Sequence, residues 1–129
     1  MSAEHPNATA YRATAAAFRA GELDTLATLI AEDVVWHIPG IHARDIVGIG
    51  ALLTFLRGLA ARGFRLEEHD VFGNHDHVRA LSVMSVHQDG VEVSTRVVSV
   101  FHYRDGKQLE RWFYPDDPAA WETLFAEGT

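Results

Sequence analysis

The 129-residue sequence lacks cysteine, long apolar runs and, but for Lys107, lysine. The absence of cysteine excludes a disulfide framework, a thiolate metal site and a cysteine nucleophile. No apolar run approaches the ~18 residues that cross a bilayer. Residues 1–9 also lack the basic and apolar stretches of a signal peptide. We therefore expect a cytoplasmic protein with no membrane partner.

Positive charge is scarce along the whole chain. Eleven lysine and arginine residues stand against 18 aspartate and glutamate residues, a formal net charge of −7. An acidic chain without a basic stripe argues against nucleic acid as a partner. Hydrophobic residues make up 47% and charged residues 22%, which is typical of a globular protein. The length predicts one domain over residues 1–129.

Helical periodicity dominates the first half. The pattern predicts helices over residues 8–18, 23–30 and 49–60, with a strand over residues 34–38 before the third helix. We expect Asn7 or Thr9 to cap the first helix and Gly21 to end it. Glu32 and Asp33 are expected to end the second helix, and a loop is expected to lead from Pro39 to the third.

Alternating β-branched and aromatic residues dominate the second half. The pattern predicts strands over residues 64–72, 77–87, 91–104 and 108–114, followed by a short helix over residues 119–126. Asp89-Gly90 and Asp105-Gly106 are typical of tight hairpin turns. Helices followed by an antiparallel meander predict an α+β fold.

The strand over residues 91–104 has two different faces. One face, with Val97, Ser99 and Phe101, is expected to pack against the helices. The other places Val98 and Val100 among polar residues. An outer face that is half apolar is often covered by a partner subunit, so we predict a homodimer.

Several segments resemble SnoaL-like domains of the nuclear transport factor two-like superfamily, which includes ketosteroid isomerase and limonene epoxide hydrolase. They are FRAGELD (18–24), AEDVVWHIPG (31–40), VVSVFHYRDGK (97–107) and RWFYPDD (111–117). The resemblance covers about residues 10–125. It implies a cone, in which a curved mixed sheet wraps around three N-terminal helices and an apolar cavity opens at the wide end. It also implies dimerisation through the outer sheet face.

The resemblance makes His37 the leading catalytic candidate. In the ketosteroid isomerases the matching position holds the general-base aspartate, and an imidazole titrates near neutral pH. His37 is therefore predicted to face the cavity as a general acid or base. The alternative is a histidine bonded to a backbone carbonyl at the rim. Asp70 is the second acid/base candidate, with a rim carboxylate as the alternative.

The catalytic sets of the two named relatives are incomplete. Ser99 or Val98 matches the oxyanion-hole acid of the isomerases, and Thr14 matches their first-helix tyrosine. Phe113 takes the place of one aspartate in the Asp-Arg-Asp set of the epoxide hydrolases. The resemblance therefore leaves the reaction class open.

The predicted function is the binding of a small apolar molecule. The candidate ligand-binding residues are Tyr11, Phe18, Ser99, Phe101 and Trp112, although ordinary core packing is the alternative for most of them. His37 would serve cyclisation, isomerisation, dehydration or hydrolysis. The competing hypothesis is a non-catalytic ligand-binding or dimerisation module. Neither a metal nor another cofactor is expected, because the tightest histidine cluster, His75 and His77, lies on a hairpin turn and lacks further ligands.

Overall fold

A computed structural model describes residues 4–125 of the chain. Within these residues the helices are α1 (Pro6–Ala20), α2 (Leu23–Leu29), α3 (Ile49–Ala61) and α4 (Pro118–Leu124). The strands are β1 (Ile30–Ile38), β2 (Arg44–Val47), β3 (Arg65–Gly73), β4 (His77–Gln88), β5 (Val91–Arg104) and β6 (Lys107–Pro115). The predicted α+β class is confirmed.

The strands form one curved, unclosed sheet in the order β2-β1-β6-β5-β4-β3. β1 runs parallel to β6, and all other neighbours are antiparallel, which confirms the predicted meander from β3 to β6. At both Asp-Gly turns, Asp89 and Asp105 as well as the following glycines have positive φ. Two successive residues with positive φ match the twist of a two-residue hairpin.

The helices cover one face of the sheet and enclose the core there. A larger cluster includes Trp36, Leu52 and Phe113, and a smaller one joins α1 to β3, β4 and β5. The helix–sheet contact is close at Gly73, where an added Cβ would lie 3.0 Å from the backbone nitrogen of Ala8. A buried site is therefore expected between the helices and the face of the sheet that they cover.

Three local predictions are wrong. The ring of His5 caps α1 by accepting the N–H of Asn7 at 3.1 Å, so neither Asn7 nor Thr9 is the cap. β1 begins at Ile30, and Glu32 and Asp33 lie inside it because a register irregularity lets the strand continue. The loop before α3 contains the short strand β2. The sequence did not predict it, because its four residues show no clear alternation of polar and apolar side chains.

The outer face of the sheet agrees with the predicted alternation of β5. Val97, Ser99 and Phe101 are buried towards the helices, whereas Val98 is 41% exposed on the other side. Arg96 also lies on the outer face, in an ion pair with Asp116 at 3.3 Å. None of the helices among the described residues is long and apolar enough to cross a membrane.

Candidate active site

An apolar cavity lies between the helices and the inner face of the sheet. Its walls are mostly aliphatic and aromatic, and their polar members are Tyr11, Thr14 and Arg111. The volume is about 40 Å³, which holds about three water molecules. This volume is far below the ~300 Å³ of small ligand pockets.

The cavity approaches the surface between the end of α1 and the start of β3. Phe18, Phe64 and Leu66 line it there and are only partly buried. The rings of Phe18 and Phe64 meet edge to face at 6.0 Å. Because partly exposed side chains have room to change rotamer, this aromatic pair is where the cavity can open.

Arg111 is the charged group on the cavity wall. It is 4% exposed, and its guanidinium carbon lies 4.3–4.6 Å from the ring centroids of Trp36, Phe101 and Phe113. Its Nε and Nη2 atoms donate to Ser99 Oγ at 3.3 and 2.9 Å. Among residues 4–125 it forms no ion pair with a carboxylate. Burial lowers the pKa of Arg111, and nearby Tyr11 and Glu68 oppose that shift.

A second polar group lies behind the cavity wall. Tyr11 donates from its hydroxyl to Glu68 Oε2 at 3.1 Å, and Ser82 Oγ donates to the same oxygen at 2.6 Å. The other carboxylate oxygen lies 3.4 Å from Arg19, which is half exposed. Burial raises the pKa of Tyr11, so its hydroxyl stays protonated. Glu68 thus connects a cavity-lining hydroxyl to the protein surface.

Two buried polar atoms near this region lack partners. The hydroxyl of Tyr103 and Nε2 of Gln108 form no hydrogen bond within the described part of the chain. Gln108 uses its carbonyl to accept from Trp36 Nε1 at 2.6 Å. Unpaired buried polar atoms are rare in folded proteins and are common at functional sites.

His37 lies on the opposite face of the sheet from the cavity. Its Nδ1 is 2.9 Å from Asp45 and its Nε2 is 2.5 Å from Glu110. The ring stacks on Trp112 with centroids 5.4 Å apart. Partial burial would lower the pKa of His37, but the hydrogen bonds to Glu110 and Asp45 outweigh it and raise the pKa.

The prediction that His37 and Trp112 face the cavity is therefore wrong. In β1, Trp36 points inwards, so alternation turns His37 outwards. β6 pairs His37 with Trp112 in register, and the inward positions of that strand belong to Arg111 and Phe113.

Asp70 is exposed and does not reach the cavity. The register of β3 shifts between Glu68 and Asp70, so alternation does not carry across this point. The buried carboxylate is Glu68 instead. Sequence reasoning missed Glu68 because a bulge leaves no trace in the residue pattern.

The other ligand-binding candidates lie on the inner side. Tyr11 and Phe18 line the cavity. Ser99 and Phe101 are fully buried behind it, where they hold Arg111 by a hydrogen bond and a ring face. Arg111 was not among the candidates. The sequence did hold one indication that Arg111 faces inwards. It lies two residues before the apolar Phe113, and strand alternation places residues two apart on the same face.

A curved sheet that closes an apolar cavity against N-terminal helices defines a class of small-molecule-binding α+β domains. The chain belongs to the SnoaL-like domain family, whose model matches residues 11–111. No curated protein matches the chain.

Solved structures are similar over nearly the whole chain. Bal32a, from a soil-derived mobile gene cassette, has 25% identity and a TM-score of 0.85, covering 93% of this chain and 96% of that one. An epoxide hydrolase of M. tuberculosis, described as LEH-like, has 21% identity and a TM-score of 0.76, with 95% and 91% covered. IdmH of Streptomyces antibioticus, a putative polyketide cyclase, has 22% identity and a TM-score of 0.74, with 93% and 98% covered. These likenesses show that the chain shares its fold with all three proteins.

Proposed function

We propose that this protein binds a small, mostly apolar molecule in the interior cavity and moves a proton on it. The observation that carries the proposal is the hydrogen bond from Tyr11, on the cavity wall, to the carboxylate of Glu68. A general acid or base needs a titratable group within hydrogen-bond reach of the reacting atom. Relatives described as a polyketide cyclase and an epoxide hydrolase support such chemistry in this fold.

The proton moves in a relay of two groups. A substrate C–H or O–H gives its proton to the Tyr11 oxygen as the Tyr11 hydroxyl proton passes to Glu68 Oε2. The relay leaves the electron pair on the substrate, and Tyr11 never becomes a phenolate. This matters because burial raises the pKa of Tyr11. The reverse relay returns the proton to another substrate atom, which completes an isomerisation or a cyclisation.

Ligand entry requires the cavity to open. At about 40 Å³ it is too small for a molecule of ten or more heavy atoms. We expect Phe18 and Phe64 to separate at the mouth when a ligand binds. Side-chain rotamer changes of this kind are common on binding.

A non-catalytic ligand-binding module is the second candidate. The observation in its favour is that no carboxylate or histidine lines the cavity directly, as far as the described residues show. Glu68 reaches the cavity only through Tyr11. His37 takes no part in either candidate function, because its ring lies on the other face of the sheet.

Deuterium exchange distinguishes the two candidates. Tetralone is a small apolar ketone whose α hydrogens report proton transfer by exchange in D₂O. We expect the protein to accelerate this exchange, and Glu68→Gln to slow it by about 10²–10⁴-fold with binding retained. Glu67→Gln is the matched control, since Glu67 is the exposed neighbour on β3. Tetralone binding without accelerated exchange in the wild type favours the binding module.

The outer sheet face supports a homodimer as a further part of the proposal. Val98 and Tyr114 are 41% and 58% exposed beside the partly buried Trp112. An interface there is expected to bury roughly 1,200–2,000 Å² in total. Light scattering at micromolar concentration tests this, with Val98→Asp expected to give monomers. A monomeric wild type would refute the dimer. A cytoplasmic location and independence of cofactors stay predictions.

A further inference from the structure

We propose that Arg111 makes the interior cavity selective for small apolar molecules that carry one planar oxyanion, either a carboxylate or the ionised oxygen of an acidic enol. The inference rests on the proposed function, since it names the ligand class of the same cavity. It adds a preference that an apolar cavity alone does not impose, namely for ligands that already carry a negative charge over neutral ligands of the same shape.

The first argument is the cost of keeping a cation at this position. Moving an isolated charge into the protein interior costs several kcal/mol unless a partner compensates it. Three aromatic ring faces and one serine hydroxyl surround the guanidinium. Within residues 4–125 no carboxylate pairs with it. Its charge is therefore only partly compensated by the protein itself.

The second argument concerns the donors of Arg111. A guanidinium has five N–H donors in a planar fork. Two hydrogen bonds of Arg111 use Nε and Nη2 and go to Ser99 Oγ. The Tyr11 hydroxyl is a further neighbour that helps to hold the guanidinium charged. The side chain also lines the cavity. Donors therefore remain for a ligand oxygen, and a planar oxyanion matches the fork in geometry and charge.

The third argument is that the neighbouring carboxylate is already occupied. Glu68 accepts from Tyr11 and Ser82 and faces Arg19 on its other oxygen. Glu68 therefore acts on Arg111 only at longer range, where it helps to hold the cation charged. Near Arg111, the hydroxyl of Tyr103 is a further buried polar group of the same region. These features indicate a polar end to an otherwise apolar cavity.

Matched pairs of probes test the inference. One pair is naphthoate and naphthamide, which have the same shape and differ in charge. The other pair is hydroxynaphthoquinone, whose enol is ionised at neutral pH, and its neutral methoxy ether. Binding is followed by isothermal titration calorimetry, because the chain has three tryptophans and the probes absorb in the range of their fluorescence. The two pairs separate carboxylates from acidic enols.

We expect the wild type to bind at least one anion about tenfold or more tightly than its neutral partner. Arg111→Gln is expected to reduce that preference to less than about twofold while leaving the affinity for the neutral probe unchanged. The control is Arg96→Gln, because Arg96 is an exposed arginine on the outer face and should keep the full preference.

The outcomes separate this inference from the proposed function. Equal binding of the charged and neutral probes overturns the selectivity and leaves the cavity as a binding site. A preference that survives Arg111→Gln also overturns it, and points to Arg19 near the mouth. If no probe binds, the proposed function fails, and the inference fails with it.

Should Arg111→Gln not fold, the wild type still decides the question. The Nε–H resonance of Arg111 should then move on addition of naphthoate and stay in place with naphthamide. An unmoved resonance with bound naphthoate would overturn the inference.

Discussion

The two faces of the sheet each hold a basic side chain against aromatic groups, but they pair it differently. On the outer face, His37 stacks on Trp112 and contacts two carboxylates, those of Asp45 and Glu110. On the inner face, Arg111 lies against three rings and bonds to a single hydroxyl. The imidazole has carboxylate partners within the protein, whereas we propose that the guanidinium finds its partner in a ligand.

The surroundings of His37 and of Arg111 differ in their exposure to solvent. His37 is 32% exposed, so water shares in solvating its charge, and its carboxylate pairs contribute little. Arg111 is buried, so every contact of its guanidinium acts in a low dielectric. A polar contact of the buried Arg111 therefore contributes more to stability than a similar contact of the exposed His37.

The largest expected difference between the faces is in packing. Phe101 is fully buried and its ring lies 4.6 Å from that of Tyr11. Phe101→Ala should lower the free energy of unfolding by about 3–5 kcal/mol, because it removes a core ring and leaves a cavity. Val98→Ala, three residues away on the exposed face, should lower it by less than about 1 kcal/mol. Urea unfolding checks both, and similar losses would contradict the assignment of the two faces.

A smaller difference is expected for two tyrosine hydroxyls. Tyr11→Phe removes a buried donor to the Glu68 carboxylate and should cost about 1.5–3 kcal/mol of stability. Tyr114→Phe on the outer face, where the side chain is 58% exposed, should cost close to nothing. Thermal unfolding of the two variants measures the contrast. A stable Tyr11→Phe variant would mean that the Tyr11–Glu68 bond adds little to the fold.

The smallest effect concerns the pH dependence of the outer face. The carboxylates of Glu110 and Asp45 raise the folded pKa of His37 above its ordinary value near 6.5. Their contribution to stability is therefore fully present below about pH 6.5 and is lost as pH rises through the folded pKa.

We expect His37→Gln to remove this part of the pH dependence, with an effect of less than about 1 kcal/mol. An NMR titration of the His37 ring gives the folded pKa directly. A value below 6.5 would show that burial outweighs the two carboxylates.

The sequence predicted the elements of the fold well, because they depend on local periodicity. The Asp-Gly turns, the long alternating strand over residues 91–104 and the Pro118 helix start all follow from backbone preferences of single residues. The sequence did not predict β2 or the start of β1 at Ile30, because both depend on pairing with other strands. Four of the five ligand-binding candidates lie on the inner side of the sheet, and Trp112 does not.

For the central strands, the sequence does not predict which face is buried. In β1, both sets of alternating residues contain apolar and aromatic or imidazole side chains, so alternation separates the faces without showing which one is buried. The parallel pairing with β6 decides this by placing Trp36 beside Arg111 on the inner face. The bulge in β3 decides in the same way that Glu68, and not Asp70, reaches Tyr11.

By itself, the sequence determined the α+β class, the order of the elements, the meander and the apolar character of the core. The tertiary structure alone decided that Arg111 lines the cavity, that Glu68 bonds to the cavity-lining Tyr11, and that His37 lies on the other face. The physical reason is that periodicity is encoded over a few neighbouring residues. The direction in which a polar side chain points depends on strand register and curvature, which arise from contacts between residues far apart in the chain.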